Sequence, residues 1–400
     1  MTVLIGLDTG TTTIKAVAYD PDQGRVVGMA SRPTPVSHPA PGHSEHDPGA
    51  LWEAATACLR ELTARRPAEA FAGLAVSSFA EAGLPLDAAG KPLYPIIAWY
   101  DRRCEPQAAS WEELLSDEEL HAITGQRVSP SFGVNKWLWI RDNAPEAAAR
   151  MATWLSAPDY VLWRLTGERA TDYSLASRTL LFDQERLTWS ETMLAHAGLR
   201  AEQLPKPLPG GTPVGAVRPQ AAAETGLPAG MPCALGGHDH LCGAFAAGAY
   251  EPGVVVDSTG TAQAVVVVLP GFRTSPRMAS GGYACYAHVL PGRYALKGGL
   301  KAAGSAVEWL ARELAGPGVP ADGLPYADLM AAAGPGVGRR VGPVWLPHLI
   351  GSGTPEGDRH SQAALVGLQA EHDRGDLFRA LLEALAFWLR HNLAEMADLT

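Results

Sequence analysis

The strongest constraint on the fold lies in residues 3–20. The apolar run Val3, Leu4, Ile5, Gly6 and Leu7 ends in Asp8, Thr9 and Gly10, then Thr11, Thr12 and Thr13, and a second apolar run begins at Ile14. That order reads as a buried strand, a tight turn and a return strand. Gly10 lets the chain turn sharply and leaves no side chain between its amide and a ligand. The hydroxyls of Thr11, Thr12 and Thr13 add to the exposed backbone N–H groups, so the turn suits phosphate oxygens. Asp8, at the strand end, suits a water-bound Mg²⁺ that neutralises those phosphates. An ordinary hairpin with a polar tip is the other reading of this piece alone.

The pattern recurs at residues 253–268. Val254, Val255 and Val256 lead into Asp257, Ser258, Thr259, Gly260 and Thr261, and Val265–Val268 return. The spacing between Asp and Gly differs by one residue. Two such hairpins far apart in one chain predict two similar lobes whose phosphate loops, with Gly260 and Thr261 in the second, face each other across a cleft. No Gly-x-x-x-x-Gly-Lys-Ser/Thr and no Gly-x-Gly-x-x-Gly run is present, which excludes the two commonest nucleotide motifs.

A length of 400 residues is too great for one ordinary core and suits two domains. A net charge of −10 gives no basic excess with which to neutralise a nucleic-acid backbone. No basic-then-apolar leader opens the chain, and no apolar run is long enough to span a bilayer. The five cysteines have no Cys-x-x-Cys spacing and read as reduced thiols of a cytoplasmic protein.

Three further stretches bear on chemistry. Trp99 and Asp101 close a short strand, and an aromatic floor beside a carboxylate suits a sugar, whose CH faces pack on rings while its hydroxyls need acceptors; Trp99 suits a core position equally. Leu235, Gly236, Gly237 and His238 deliver Asp239 to a strand end at the cleft. The His238-Asp239-His240 run invites a metal reading, but alternate residues on a strand point away from their middle neighbour, so the three are not expected to share one ion. Gly304 opens a helix over residues 306–314, and a helix N-terminus is a natural anion site. Further helices are expected over 49–66, capped by Asp47 with Pro48 in its first turn, over 159–166, over 186–197, and from a cap at Asp376 to about 396. Residues 205–219 read as a surface connector.

Taken together, these stretches resemble the FGGY family of carbohydrate kinases, within the superfamily of sugar kinases, actin and heat-shock ATPases. The resemblance runs from residue 3 to the end. It rests on the two hairpins, the Gly-Gly-x-Asp run at 236–239, the Trp-x-Asp-x-Arg run at 99–103, and the Lys-apolar-x-Trp signature that begins at Lys136. It implies an α/β fold of two actin-like (ribonuclease H-like) lobes with a cleft between them, residues 1–247 and 248–400. It implies an ATP-dependent kinase of a small ketose or polyol, first of all a pentulose such as xylulose, with Mg²⁺. In the family, Asp239 matches the catalytic base and Lys15 stands where a Lys or Arg adds charge at the phosphates. Gly304 matches a glycine near the nucleotide phosphates, and Glu81 with Trp99 and Asp101 lies where the sugar is held. Xylulose kinases carry Met-His where this chain has Ala80-Glu81, and glycerol kinases carry Arg-Glu, so only the acid of the second pair is kept; an exposed loop carboxylate is the other reading of Glu81. In the family a Gly-rich adenosine loop and closing helices follow the last helix seen here. The second lobe is therefore expected to be incomplete, with a catalytically weak sugar-binding protein as the alternative function. A chaperone-type ATPase would share the hairpins but lack Asp239. The expected partner is a small sugar or polyol, with no nucleic acid and no membrane, and the resemblance permits a homodimer.

Overall fold

The computed structural model describes residues 2–65, 67, 70–334 and 342–400. The chain divides into two compact units. The first holds residues 1–250 with 270–273 and 286–294, and the second holds 251–269, 274–285 and 295–400. The two short returns to the first unit are invisible to any reading by chain order.

The first unit is built on a six-stranded sheet. Its strands are β1 (Val3–Thr9), β2 (Thr13–Asp20), β3 (Arg25–Pro33), β4 (Phe71–Ser78), β5 (Pro213–Ala216) and β6 (Pro232–His238), in the order β5-β6-β4-β1-β2-β3. β1 and β2 alternate between buried and exposed residues, so Val3, Ile5 and Leu7 with Ile14, Ala16 and Ala18 face one core. Against them packs α1 (Pro48–Thr63) through Leu51, Ala55, Cys58, Leu59 and Leu62. Asp47 caps this helix by accepting from the Ala50 amide at 2.8 Å, and Pro48 occupies its first turn, where a missing N–H costs nothing. The helix stops short of the expected end, and Arg66 lies outside the described residues. A second core gathers around α2 (Gly133–Asn143), with Trp111, Trp137, Leu138, Ile140 and Phe182, and α3 (Ala157–Thr166) is the helix expected over 159–166.

Two expectations about this unit are corrected. The helix expected over 186–197 is only α4 (Glu191–Ala197), because Phe182–Asp183 pairs with Thr188–Trp189 and Ser190 then caps a fresh start. The connector at 205–219 carries β5, the edge strand of the main sheet, whose Ala216 pairs with Pro232.

The second unit holds most of a four-stranded sheet, β7 (Val255–Thr259), β8 (Gln263–Leu269), β9 (Ala284–Ala287) and β10 (Tyr294–Gly298), in the order β7-β8-β10-β9, of which Tyr286, Ala287 and Tyr294 belong to the first unit. α6 (Gly304–Ala315) and α7 (Arg374–Leu399) share a core through Ala306, Leu310, Phe378 and Leu381. The cap of α7 is Asp373, not Asp376. Asp373 accepts from the Asp376 amide at 3.0 Å, and Asp376 accepts in return from the Asp373 amide at 3.1 Å. Among the described residues no helix is long and apolar enough to cross a membrane, and all five cysteines are unbridged.

Candidate active site

Sheet register assembles the first set of residues. β1 and β4 are parallel, with Asp8 opposite Ser77 and Thr9 opposite Ser78. β4 and β6 are also parallel, with Ser77 opposite Gly237 and Ser78 opposite His238. The carboxyl ends of three neighbouring strands therefore lie side by side, which is where open α/β sheets bind ligands. A bulge at Gly236 shifts the register just before the end of β6, and bulges re-aim the residues that follow them. Asp239 comes next, as the first residue of α5 (Asp239–Ala246).

Asp8 is half-buried. Ser77 Oγ donates to its Oδ1 at 3.2 Å, and Lys15 stands opposite it across the β1–β2 ladder. Burial pushes the Asp8 carboxyl above its ordinary value, while Ser77 and Lys15 pull the other way. In the turn, the Gly10 carbonyl accepts from Thr34 Oγ1 at 2.6 Å and the Thr12 carbonyl from the Thr34 amide at 3.0 Å. A Cβ on Gly10 would lie 2.8 Å from the Thr13 carbonyl oxygen, so no other residue fits this tip without displacement. Thr11 Oγ1 accepts from Trp99 Nε1 at 3.1 Å. Trp99 is 40% exposed, so it is no core residue, and the structure brings it beside the first hairpin.

Asp101 is differently placed. It is buried, and its oxygens accept from the Ser44 amide at 2.5 Å, the Arg103 amide and Nε at 2.9 Å each, and Arg103 Nη2 at 2.8 Å. Four donors fill the lone-pair capacity of a carboxylate, so Asp101 has none left for a sugar hydroxyl. Burial raises its pKa, but the Arg103 and Ser44 donors outweigh that and hold it below the ordinary value. Arg103 also bonds Glu45 at 2.5 Å. The expected sugar contact is here part of a buried ion pair with Arg103.

Glu81 follows β4 and has a left-handed backbone, φ +68°, which is uncommon outside glycine. Its Oε1 is held by Arg178, from Nε at 2.7 Å and from Nη2. Arg178 further donates to Gln126 Oε1 at 2.8 Å and lies over the rings of Phe132 and Tyr286. Glu81 is thus not a solvated loop acid. Arg178 was not singled out in the sequence, because it is 97 residues away from its partner and belongs to no catalytic pattern. Lys136, fully buried on α2, donates to the carbonyls of Pro130 and Ser131 at 2.6 Å each and reaches that of Trp99 at 3.5 Å. It ties together two loops of this region and does more than fill a core.

His238 and Asp239 form a pair. His238 is buried, with Nε2 3.3 Å from Asp239 Oδ1 and Nδ1 3.5 Å from the Tyr286 hydroxyl. The His238 amide donates to Ser174 Oγ at 3.0 Å, and Ser174 is held in turn by the buried Asp172. The expectation that residues 238, 239 and 240 point apart is overturned. One ligand atom from each lies within 4.8 Å of the other two, because the strand ends at His238 and alternation ends with it.

In the second unit, the turn at Gly260–Ala262 is docked on the start of α6. The Gly260 carbonyl accepts from the Gly304 amide at 2.8 Å. The Thr261 carbonyl accepts from the amides of Ala303 at 3.0 Å and Ser305 at 3.1 Å, and from Ser305 Oγ at 2.9 Å. A Cβ on Gly304 would sit 2.4 Å from the Gly260 oxygen. The N-terminal donors of α6 are therefore taken by the hairpin and are not offered to an anion, and Gly304 serves the close approach.

Residues 3–246 match the N-terminal domain of the FGGY family of carbohydrate kinases, and residues 256–400 match its C-terminal domain. The chain is 30% identical to the xylulose kinase of Escherichia coli (strain K12), over 96% of this chain and 77% of that protein. It is 32% identical to the glycerol kinase of Citrifermentans bemidjiense, over 97% of this chain and 77% of that protein. The crystal structure of xylulose kinase from Rhodospirillum rubrum superimposes with a TM-score of 0.90 at 35% identity, covering 99% of this chain and 79% of that one. The two-lobed α/β fold expected from the paired hairpins is the fold of these kinases, and the chain belongs to the FGGY family of carbohydrate kinases, phosphotransferases that act on an alcohol group.

Proposed function

We propose that the chain phosphorylates a small ketose with ATP, a pentulose such as xylulose in the first place. The observation that carries this reading is the row of strand ends that sets Asp8, Ser77 and the His238–Asp239 pair side by side. Asp239, 33% exposed at its side chain, takes the proton of the attacking sugar hydroxyl as general base. The hydroxyl oxygen bonds to the γ-phosphorus, the bond to the bridging oxygen of ADP breaks, and the proton stays on Asp239. Such transfer rests on positioning and charge stabilisation. The turn at Gly10, Thr11, Thr12 and Thr13 holds phosphate oxygens, with Lys15 adding charge, and Gly260 and Thr261 form the corresponding turn of the second unit.

Asp8 fits a hard divalent cation, since its burial leaves a carboxylate that gains from positive charge nearby. Mg²⁺ held through water at Asp8 would supply charge neutralisation at the phosphates. Glu81 orients the sugar, Arg178 keeps Glu81 in place, and Trp99 offers a ring face for the sugar carbons.

A second reading, phosphorylation of a polyol such as glycerol or erythritol, is favoured by the Glu81–Arg178 pair. This pair restores an arginine beside the acid, as in the Arg-Glu of glycerol kinases. A coupled assay of ADP release with Mg·ATP and a panel of D-xylulose, D-ribulose, glycerol and erythritol separates the two. Higher kcat/KM for a polyol than for any ketose would overturn the pentulose reading.

A further inference from the structure

The His238-Asp239-His240 cluster is more than a general base with two neighbours. The two histidines lie close together, with ring centroids 5.2 Å apart. The change from strand to helix after His238 then swings Asp239 between them, and its Oδ1 accepts from the His240 amide at 2.7 Å. Two imidazoles and a carboxylate within 4.8 Å of one another are a nitrogen-rich donor set. Such a set favours zinc-type cations over Mg²⁺ or Ca²⁺, which take oxygen ligands.

The surroundings support a cation. A metal-bound histidine needs a partner on its other ring nitrogen. Tyr286 is that partner for Nδ1, and its hydroxyl both donates and accepts. The Nδ1–H tautomer, with the Nε2 lone pair turned to Asp239, is therefore accommodated without moving the ring. Carboxylates stand close by: Asp8 lies at the end of β1, across β4 from the end of β6, and Asp172 holds Ser174, which accepts from the His238 amide. Arg178 also faces Asp239, but its charge is met by Glu81. Zinc–ligand bonds of about 2.0–2.2 Å require the donor atoms to close in from their present spread of up to 4.8 Å.

We propose that His238, Asp239 and His240 form a binding site for a divalent transition-metal cation of zinc's chemistry. A cation there also silences the base, a consequence that rests on the reading of Asp239 given above.

The test is a calorimetric titration of the intact chain with zinc chloride in excess Mg²⁺, repeated on His240→Ala and His238→Gln. Circular dichroism confirms that each variant is folded. One zinc per chain is expected, with affinity falling about 10- to 100-fold in His240→Ala, the effect of weakening a metal's coordination. Equal affinity in the parent and in His240→Ala would overturn the proposal, as would no binding by the parent. His238→Gln, should it prove unfolded, leaves the decision to the exposed His240. Turnover is followed in parallel with the parent. Zinc lost in His240→Ala supports the site whether or not zinc inhibits, whereas binding without inhibition counts against Asp239 as the base.

Discussion

Replacing Lys136 by methionine should leave the fold nearly as stable and cost the proposed sugar site its shape. The ammonium is fully buried, and among the described residues no carboxylate pairs with it. Burial pulls its pKa from 10.5 down to about 8, although Cys104, Glu81 and Asp101 pull it back. The gap from 10.5 to about 8 corresponds to roughly 3 kcal/mol by which the folded protein binds this proton more weakly than the unfolded chain. Methionine removes that cost and has a similar, unbranched shape. It also strips the donor from the Pro130 and Ser131 carbonyls, at about 1–3 kcal/mol each if they stay dry. The two effects nearly cancel, so a net change within about 2 kcal/mol is expected, a melting shift of roughly 4–8 °C at most for a unit of this size. The loop at 129–131 and the Trp99 carbonyl, however, lose their common anchor. The sugar KM should therefore rise about tenfold, roughly 1.4 kcal/mol of lost binding, with the KM for Mg·ATP unchanged. The pH dependence has a definite sign. Between about 8 and 10.5 the unfolded chain holds the proton more tightly, so the parent gains stability as pH rises through that window and the methionine variant does not. Thermal melts and initial rates on both proteins measure all of this. An unchanged sugar KM would refute the anchoring role, and a loss of more than about 4 kcal/mol would show the ammonium to be a structural necessity.

The remaining expectations concern the groups proposed above as base, metal holder and sugar contact. Asp239→Asn should fold normally and lose about 10²–10⁴ in turnover, the usual worth of a general base; steady-state rates close to those of the parent would remove it from the mechanism. Asp8→Ala should raise the KM for Mg·ATP far more than that for the sugar, and titrations showing the reverse would contradict its place at the phosphates. Glu81→Ala should lower stability by about 3–5 kcal/mol because it leaves Arg178 buried and unpaired. Glu81→Gln, which keeps an acceptor, should cost less and shift substrate preference in the panel; identical preference in both variants would return Glu81 to a structural role.

How legible all this was in the sequence depends on the kind of interaction. The β1–β2 hairpin, its Gly10 tip and the helix behind it are local, and alternation, turn chemistry and capping residues specify them directly. Asp239 was legible because two glycines and an apolar run announce a strand end. What depends on register and on contacts distant in sequence was not. Ser77 meets Asp8 only because β4 joins β1 in parallel, 69 residues later. Arg178 reaches Glu81 from 97 residues away. The His238-Asp239-His240 geometry was misjudged because strand periodicity was carried one residue beyond the strand. The pairing of Asp101 with Arg103 was not legible, because an aromatic–carboxylate neighbourhood looks alike whether the acid serves a ligand or an arginine two residues on.

The two hairpins share a device that explains why a turn rich in glycine and threonine suits phosphate. In a trans peptide the N–H of one residue points opposite to the carbonyl of the residue before it. In the first unit Thr34 takes the carbonyls of Gly10 and Thr12, which turns the amides of Thr11 and Thr13 away from it. In the second unit residues 303–305 take the carbonyls of Gly260 and Thr261, which turns the amides of Thr261 and Ala262 the other way. Each tip thus has its negative dipole ends neutralised by protein donors and its positive ends directed outward, the condition for an anion-binding turn. The donors differ, one strand-end threonine in the first unit and a helix N-terminus in the second. A helix start that appears in the sequence as an anion site in its own right has its amides taken here by the turn it holds.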